Sequence, residues 1–216
     1  MISPERLEML QAGWVRLLGQ YSVEPAAGYP IFDQLVAAYS VPHRYYHTLE
    51  HVNEVLKVTG KLADAASDPS AVQLAVWFHD AVYDPQATDN EERSADLAVS
   101  TIRPLGVPEE LLQRVAAMVR ATAHTAAPDV DPDTAVLLDA DLAILSAEER
   151  RYARYAADIR REYAWVEESA YGASRTRVLQ AFLDRPRIYR TERMHAAGEE
   201  AARRNLRAEI DRLRNA

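Results

Sequence analysis

The stretch from Asp68 to Tyr83 is the strongest constraint this chain places on its own fold. Asp68-Pro69 is a helix start, a capping residue followed by proline at the first helical position. The residues after it are apolar on almost every side: Val72, Leu74, Val76, Trp77, Phe78 and Val82. A helix with so little polar face belongs in the middle of a bundle, so the rest of the chain must supply helices to surround it. Ser3-Pro4 caps a first one, with Leu7, Leu10, Trp14, Leu17 and Tyr21 three and four residues apart. A second is expected from Pro30 to Ser40, broken by Pro42. A third is expected from about His47 to Ala65 on the stripe Leu49, Val52, Leu56 and Leu62. The central helix itself is expected to run through about Tyr83.

Thr88 or Asp89 caps a fifth helix ending near Pro104, and Pro108 opens a sixth ending near His124. After a loop over 125–130, Asp131-Pro132 opens a seventh whose Val136-Leu137-Leu138 reads as buried. Ser146 with Glu149 forms a capping box for an eighth. Two more are expected at about Ala173 to Asp184 and Thr191 to Asn215. With only 7 glycines and no alternating run of β-branched residues, no segment reads as a strand, and the expected class is all-α. There is no internal repeat, low-complexity tract or linker, which implies one domain over 1–216.

Composition narrows the function classes. Hydrophobic residues at 48% are ample for a core, and no apolar run approaches the roughly 18 residues that span a membrane. The start, Met1-Ile2-Ser3-Pro4-Glu5-Arg6, lacks a basic end leading into an apolar stretch, so it does not read as a secretory signal. Cysteine is absent, which removes thiolate ligands and suits a reducing, cytoplasmic setting. A net charge of −8 disfavours nucleic acid as a general partner. It leaves room for a small anionic ligand held by a local cluster of arginine and metal.

Two of the buried helices carry ionisable residues where apolar ones are expected. His79 lies on the stripe Val72, Val76, His79, Tyr83, with Asp80 beside it; Asp139 and Asp141 interrupt Leu138, Ala140, Leu142. Burying a carboxylate costs several kcal/mol unless it is paired or bound to metal. A shared divalent cation would satisfy several of these groups at once. On the third helix His47 and His51 are four residues apart and would share a face. Imidazole with carboxylate suits Zn, Mn, Fe or Ni better than Ca. Each piece alone is a weak signal, since a single buried histidine is more often a hydrogen-bonded core residue than a ligand.

Taken in order, Tyr46-His47-Thr48-Leu49-Glu50-His51, then Phe78-His79-Asp80, then Ala140-Asp141-Leu142 resembles the HD superfamily of metal-dependent phosphohydrolases. The segments Trp77 to Pro85, Asn90 to Ala95 and Leu138 to Leu145 resemble a bacterial group of predicted metal-dependent HD phosphohydrolases. The first motif is similar to the tyrosine-His-x-x-x-His of cyclic nucleotide phosphodiesterases. The resemblance implies an HD-type helical bundle and a divalent metal (Mn, Zn, Fe, Co, Ni or Mg) held by His51, His79, Asp80 and Asp141. It implies His47 as proton donor and a small phosphorylated substrate, with nucleotides among the candidates. Asp139 and Asp141 are about 200° apart around a helix, so both cannot face one ion. The family pattern favours Asp141, leaving Asp139 to bond to another helix.

Other residues have two readings each. His124 could touch substrate or a second, weaker ion, together with Glu91 or Glu92, or simply end a helix. Arg44 could grip phosphate with its planar fork or be a surface arginine, with Lys57 and Arg93 weaker candidates. The cluster Arg203, Arg204, Arg207, Arg212 and Arg214, with its pairs Glu199–Arg203 and Glu200–Arg204, reads as a solvated helix face. Two rival functions remain: a non-catalytic HD-like module that binds metal or nucleotide, and a zinc peptidase. In the peptidase reading His47-Thr48-Leu49-Glu50-His51 would be an H-x-x-E-H motif with Glu50 as base.

Overall fold

Proline and capping side chains set most of the helix starts. In the computed structural model, which describes residues 2–125 and 129–215, Ser3 accepts from the amide of Arg6 and opens α1 (Pro4–Gly19). Asp68 accepts from Ala71 N and opens α4 (Pro69–Phe78). Between them lie α2 (Pro25–Tyr39) and α3 (Leu49–Lys61). Further on come α5 (Asn90–Ile102), α6 (Glu109–Ala121), α7 (Pro132–Asp141), α8 (Glu149–Glu162), α9 (Glu168–Leu183) and α10 (Glu192–Arg214). Among the described residues there is no strand, and the chain is all-α. The loop expected over 125–130 includes residues 126–128, outside those described.

Packing groups the chain into two compact units, Met1–Leu137 and Leu138–Ala216. In the first, α4 packs against α1, α3, α5 and α6, the central place its apolar surface demands. Trp77 meets Trp14 and Phe32 edge-on, with ring centroids 5.4 and 5.8 Å apart, and Phe78 lies 6.2 Å from Trp14. The Trp14 indole donates to Gly28 O at 2.9 Å, tying α1 to α2. A Cβ on Gly28 would stand 3.0 Å from Leu18 Cδ1, so a larger residue there would require that methyl to give way by a few tenths of an ångström. Asp133, at the start of α7, accepts from the amides of Ser67 and Asp68 and pairs with Arg114.

In the second unit α10 packs on α8, α9 and the 3₁₀ segment Leu142–Ser146. Its interior holds an ion pair, Arg175 Nε to Glu209 at 2.8 Å, with side chains only 10% and 5% exposed. The Tyr152 hydroxyl donates to Glu209, and Arg175 donates to the Tyr155 hydroxyl.

Several boundaries differ from expectation. α2 starts at Pro25, which takes the first-turn position, and Pro30 sits inside the helix. Pro30 lacks the amide that would bond Ala26 O, but both residues are exposed, so water can serve that carbonyl. The capping box at Ser146 does not form: its hydroxyl donates to Ala143 O and closes the 3₁₀ turn, and α8 begins after Glu148. α9 starts at Glu168, where Glu167 accepts from the amides of Ser169 and Ala170. Arg203 is not on a solvated face. It grips Glu199 at 2.7 Å and the carbonyls of Leu183, Arg185 and Pro186, while Arg204, Arg207, Arg212 and Arg214 are exposed.

Candidate metal centre

Two helix ends build the centre, and neither runs as far as its periodicity suggested. Thr48, in extended conformation (φ −119°, ψ 178°), is the N-cap of α3. His51 therefore lies in the first turn, while His47 lies outside the helix. The two histidines do not share a helix face, yet the bend leaves their rings 5.9 Å apart and nearly perpendicular.

α4 stops at Phe78, with His79 as its C-cap and Asp80 in the following turn. It stops there because side chains from elsewhere take over its backbone groups. The Tyr39 hydroxyl donates to Trp77 O at 3.1 Å and accepts from Asp80 N at 3.3 Å. Arg44 donates to Asp80 O and Ala81 O at 2.6 and 3.0 Å. Ser94 of α5 bonds both the amide and the carbonyl of Val82. A continuing helix would have needed these groups for itself.

His79 is 1% exposed and His51 3%. The His79 Nδ1 faces Val76 O at 2.8 Å, a carbonyl that can only accept, so Nδ1 carries a proton and Nε2 is the nitrogen that would turn to a metal ion. That Nε2 lies 3.1 Å from His51 Nε2 and 3.1 Å from Asp80 Oδ2; the third side, His51 Nε2 to Asp80 Oδ2, is 3.6 Å. Ligand atoms about 2.0–2.1 Å from one ion, at angles of roughly 90–120°, stand roughly 2.9–3.6 Å apart. The triangle fits a shared cation, and the group could hold a metal ion. Burial alone would push the Asp80 carboxyl up. The charges of His79, His47 and His51 and the hydrogen bond from His79 outweigh it and hold the carboxyl well below the usual carboxylate range.

Around the triangle stand aromatic rings. Tyr46 lies 4.7 Å from the His51 ring and 5.1 Å from His47, and Tyr83 stacks on His47 at 4.3 Å. Arg44, expected to grip phosphate, is 7% exposed, and its guanidinium donates to three backbone carbonyls, those of His47, Asp80 and Ala81. Glu50 points elsewhere: both its oxygens lie 2.7 Å from Arg6 of α1, an exposed pair that gives the peptidase reading no base at the histidines. Glu92 is bonded to Arg120 at 2.6 and 2.7 Å. His124 lies just past α6 with left-handed backbone (φ 54°), unusual for a residue with a side chain.

In the second unit the two aspartates part company. Asp139, fully buried, accepts from Arg190 N, Thr191 N and the Thr191 hydroxyl, each at 2.7 Å. Burial pushes its carboxyl up despite these donors. Asp141 ends α7 and is half-buried. The bonding of Asp139 to another segment is as expected, and its oxygens are taken up by that task.

Sequence reasoning missed Tyr39, Tyr83 and Ser94 as parts of the centre. Tyr39 and Tyr83 fall on apolar stripes and read as core; only their hydroxyl and ring contacts set them apart. No helix among the described residues is long and apolar enough to cross a membrane. Compared with known proteins, the chain matches no family model, no curated protein and no solved structure.

Proposed function

We propose that this protein is a metal-dependent hydrolase of small phosphate esters, acting in the cytoplasm without a nucleic-acid partner. The observation that carries the reading is the triangle of His51 Nε2, His79 Nε2 and Asp80 Oδ2, with sides of 3.1, 3.1 and 3.6 Å in a nearly closed setting. Its donors are two imidazoles and a carboxylate, a set suited to Zn, Mn, Fe, Co or Ni. The HD resemblance adds Asp141 to the ligand set, and it supplies the reaction type. A divalent cation bound there would lower the pKa of water and draw charge from a phosphoryl oxygen.

The chain's own residues divide the remaining work. Asp80, held ionised, accepts a hydrogen bond from the attacking water. His47, whose ring reaches to 5.9 Å from that of His51, gives a proton to the leaving alkoxide. Tyr46 and Tyr83 wall the ring of His47 and limit its rotation. Arg44 is committed to backbone carbonyls, so charge on the remaining phosphate oxygens falls to other groups, His124 among them.

The test is elemental analysis of protein purified without chelator, joined to a screen of monoesters, diesters and pyrophosphates. A bound divalent metal and turnover lost on chelation support the reading. Protein with no affinity for Mn, Zn, Fe, Co or Ni ends it, and metal without turnover leaves a binding module.

A further inference from the structure

The Arg44 guanidinium holds together the two segments that carry the chemistry. A single nitrogen, Nη1, donates to His47 O at 3.0 Å and to Asp80 O at 2.6 Å; Nη2 donates to Ala81 O at 3.0 Å. The peptide of the expected proton donor and the peptide of an expected metal ligand are thus joined through one atom. The guanidinium carbon lies 5.0 Å from the centre of the Tyr39 ring and 5.3 Å from that of Tyr83. Tyr83 in turn stacks on the His47 imidazole at 4.3 Å, with 33° between the planes. A contiguous set therefore runs from Asp80 through Arg44 and Tyr83 to His47.

The geometry points to Arg44 and Tyr83 as a positioning pair that fixes the His47 ring relative to Asp80. This rests on the reading of His47 as proton donor. Lysine cannot replace the arginine, because an ammonium on a flexible stem lacks the planar fork that reaches three carbonyls in fixed directions. A phenylalanine can replace Tyr83, because the stack needs the ring, whereas leucine removes it. A shift of about 1 Å in a reacting group is enough to cost about 10²-fold in rate.

The experiment compares Arg44→Lys, Tyr83→Phe and Tyr83→Leu in the full chain. The first readout needs no activity: the ring resonances of His47 in metal-free protein, assigned with His47→Asn. Stacking on Tyr83 shields them, so Tyr83→Leu and Arg44→Lys move them downfield and Tyr83→Phe leaves them shielded. The second readout uses manganese-loaded protein, with an alkyl phosphate and a nitrophenyl phosphate as substrates and inorganic phosphate as inhibitor. Arg44→Lys and Tyr83→Leu lower kcat on the alkyl ester by about 10²-fold and lower it less on the nitrophenyl ester, whose leaving group scarcely needs a proton. KM and phosphate inhibition stay within about twofold in all three.

Unmoved His47 resonances in both Arg44→Lys and Tyr83→Leu overturn the proposal. So does an Arg44→Lys variant that weakens phosphate inhibition and raises KM on both esters at unchanged kcat, because that marks a phosphate ligand. If the unsubstituted protein turns over no ester, the phosphohydrolase reading fails, and the resonances alone still decide the positioning claim.

Discussion

Asp139 and Asp141 stand two residues apart on one helix, and exchanging each for asparagine separates structure from chemistry. Asp139 accepts three hydrogen bonds of 2.7 Å in a site with no solvent exposure. Hydrogen bonds to a charged group contribute about 1.5–3 kcal/mol each, and an amide keeps one acceptor oxygen while turning an NH₂ towards N–H donors. One or two bonds are lost and a donor faces a donor. Relief of the buried charge offsets part of this, since burial already pushes the Asp139 carboxyl up. The net expectation for Asp139→Asn is about 3 kcal/mol of destabilisation. For a chain of this length that lowers Tm by about 6–12 °C. Asp141→Asn, at a half-buried position, should cost the metal-free protein less than Asp139→Asn does at its fully buried one, and should lose metal. The assay is thermal unfolding followed by circular dichroism on chelated protein, alongside metal content of protein purified without chelator. If Asp139→Asn loses metal at unchanged Tm, or Asp141→Asn unfolds as early as Asp139→Asn, the division of roles is wrong.

The histidines should differ as well: His51→Ala loses metal, whereas His47→Ala keeps it and loses about 10²–10⁴-fold in rate on poor leaving groups. Equal metal loss in both would make His47 a ligand. Glu50→Gln breaks only an exposed pair with Arg6, so metal content and turnover should hold; a fall of several orders of magnitude in rate would restore the peptidase reading. The Asp80 carboxyl is held below its unfolded value near 3.9, so its ionised form stabilises the metal-free fold above about pH 4, and that contribution is lost as pH falls further. Asp80→Asn should therefore flatten the acid limb of stability against pH measured by denaturant titration, and an unaltered limb would show that the carboxylate is not coupled to folding.

What was legible in the sequence was whatever broke a strong rule. His79 and Asp139 stand out because ionisable groups in an apolar helix need a partner, and both have one. The place of α4 follows from its lack of a polar face. The failures share a different cause. The helix expected from Pro30 starts at Pro25, where proline takes the favoured first-turn position. The end of α4 depends on Tyr39 and Arg44, which lie 36 to 41 residues away in sequence from the groups they bind there and so leave no local signature. Arg203 and Arg175 look like surface charges because the partners that bury them sit on neighbouring segments. The boundary between the two units falls inside α7, so no linker composition marks it.

The end of α4 shows why fold and chemistry are one problem here. A helix leaves its last carbonyls without amide partners, and they carry the negative end of its dipole. Here each has a named partner. Ala75 O takes the His79 amide and Val76 O the His79 ring; Trp77 O takes the Tyr39 hydroxyl and Phe78 O the Ala81 amide. The carbonyls just beyond, of Asp80 and Ala81, take Arg44. Capping the helix therefore fixes which His79 ring nitrogen carries the proton and holds the backbone of Asp80. The field at that end favours a positive charge, which a bound cation would supply. His79 keeps right-handed helical backbone (φ −56°, ψ −34°), and with it the side chains of two consecutive residues bring Nε2 and Oδ2 to 3.1 Å.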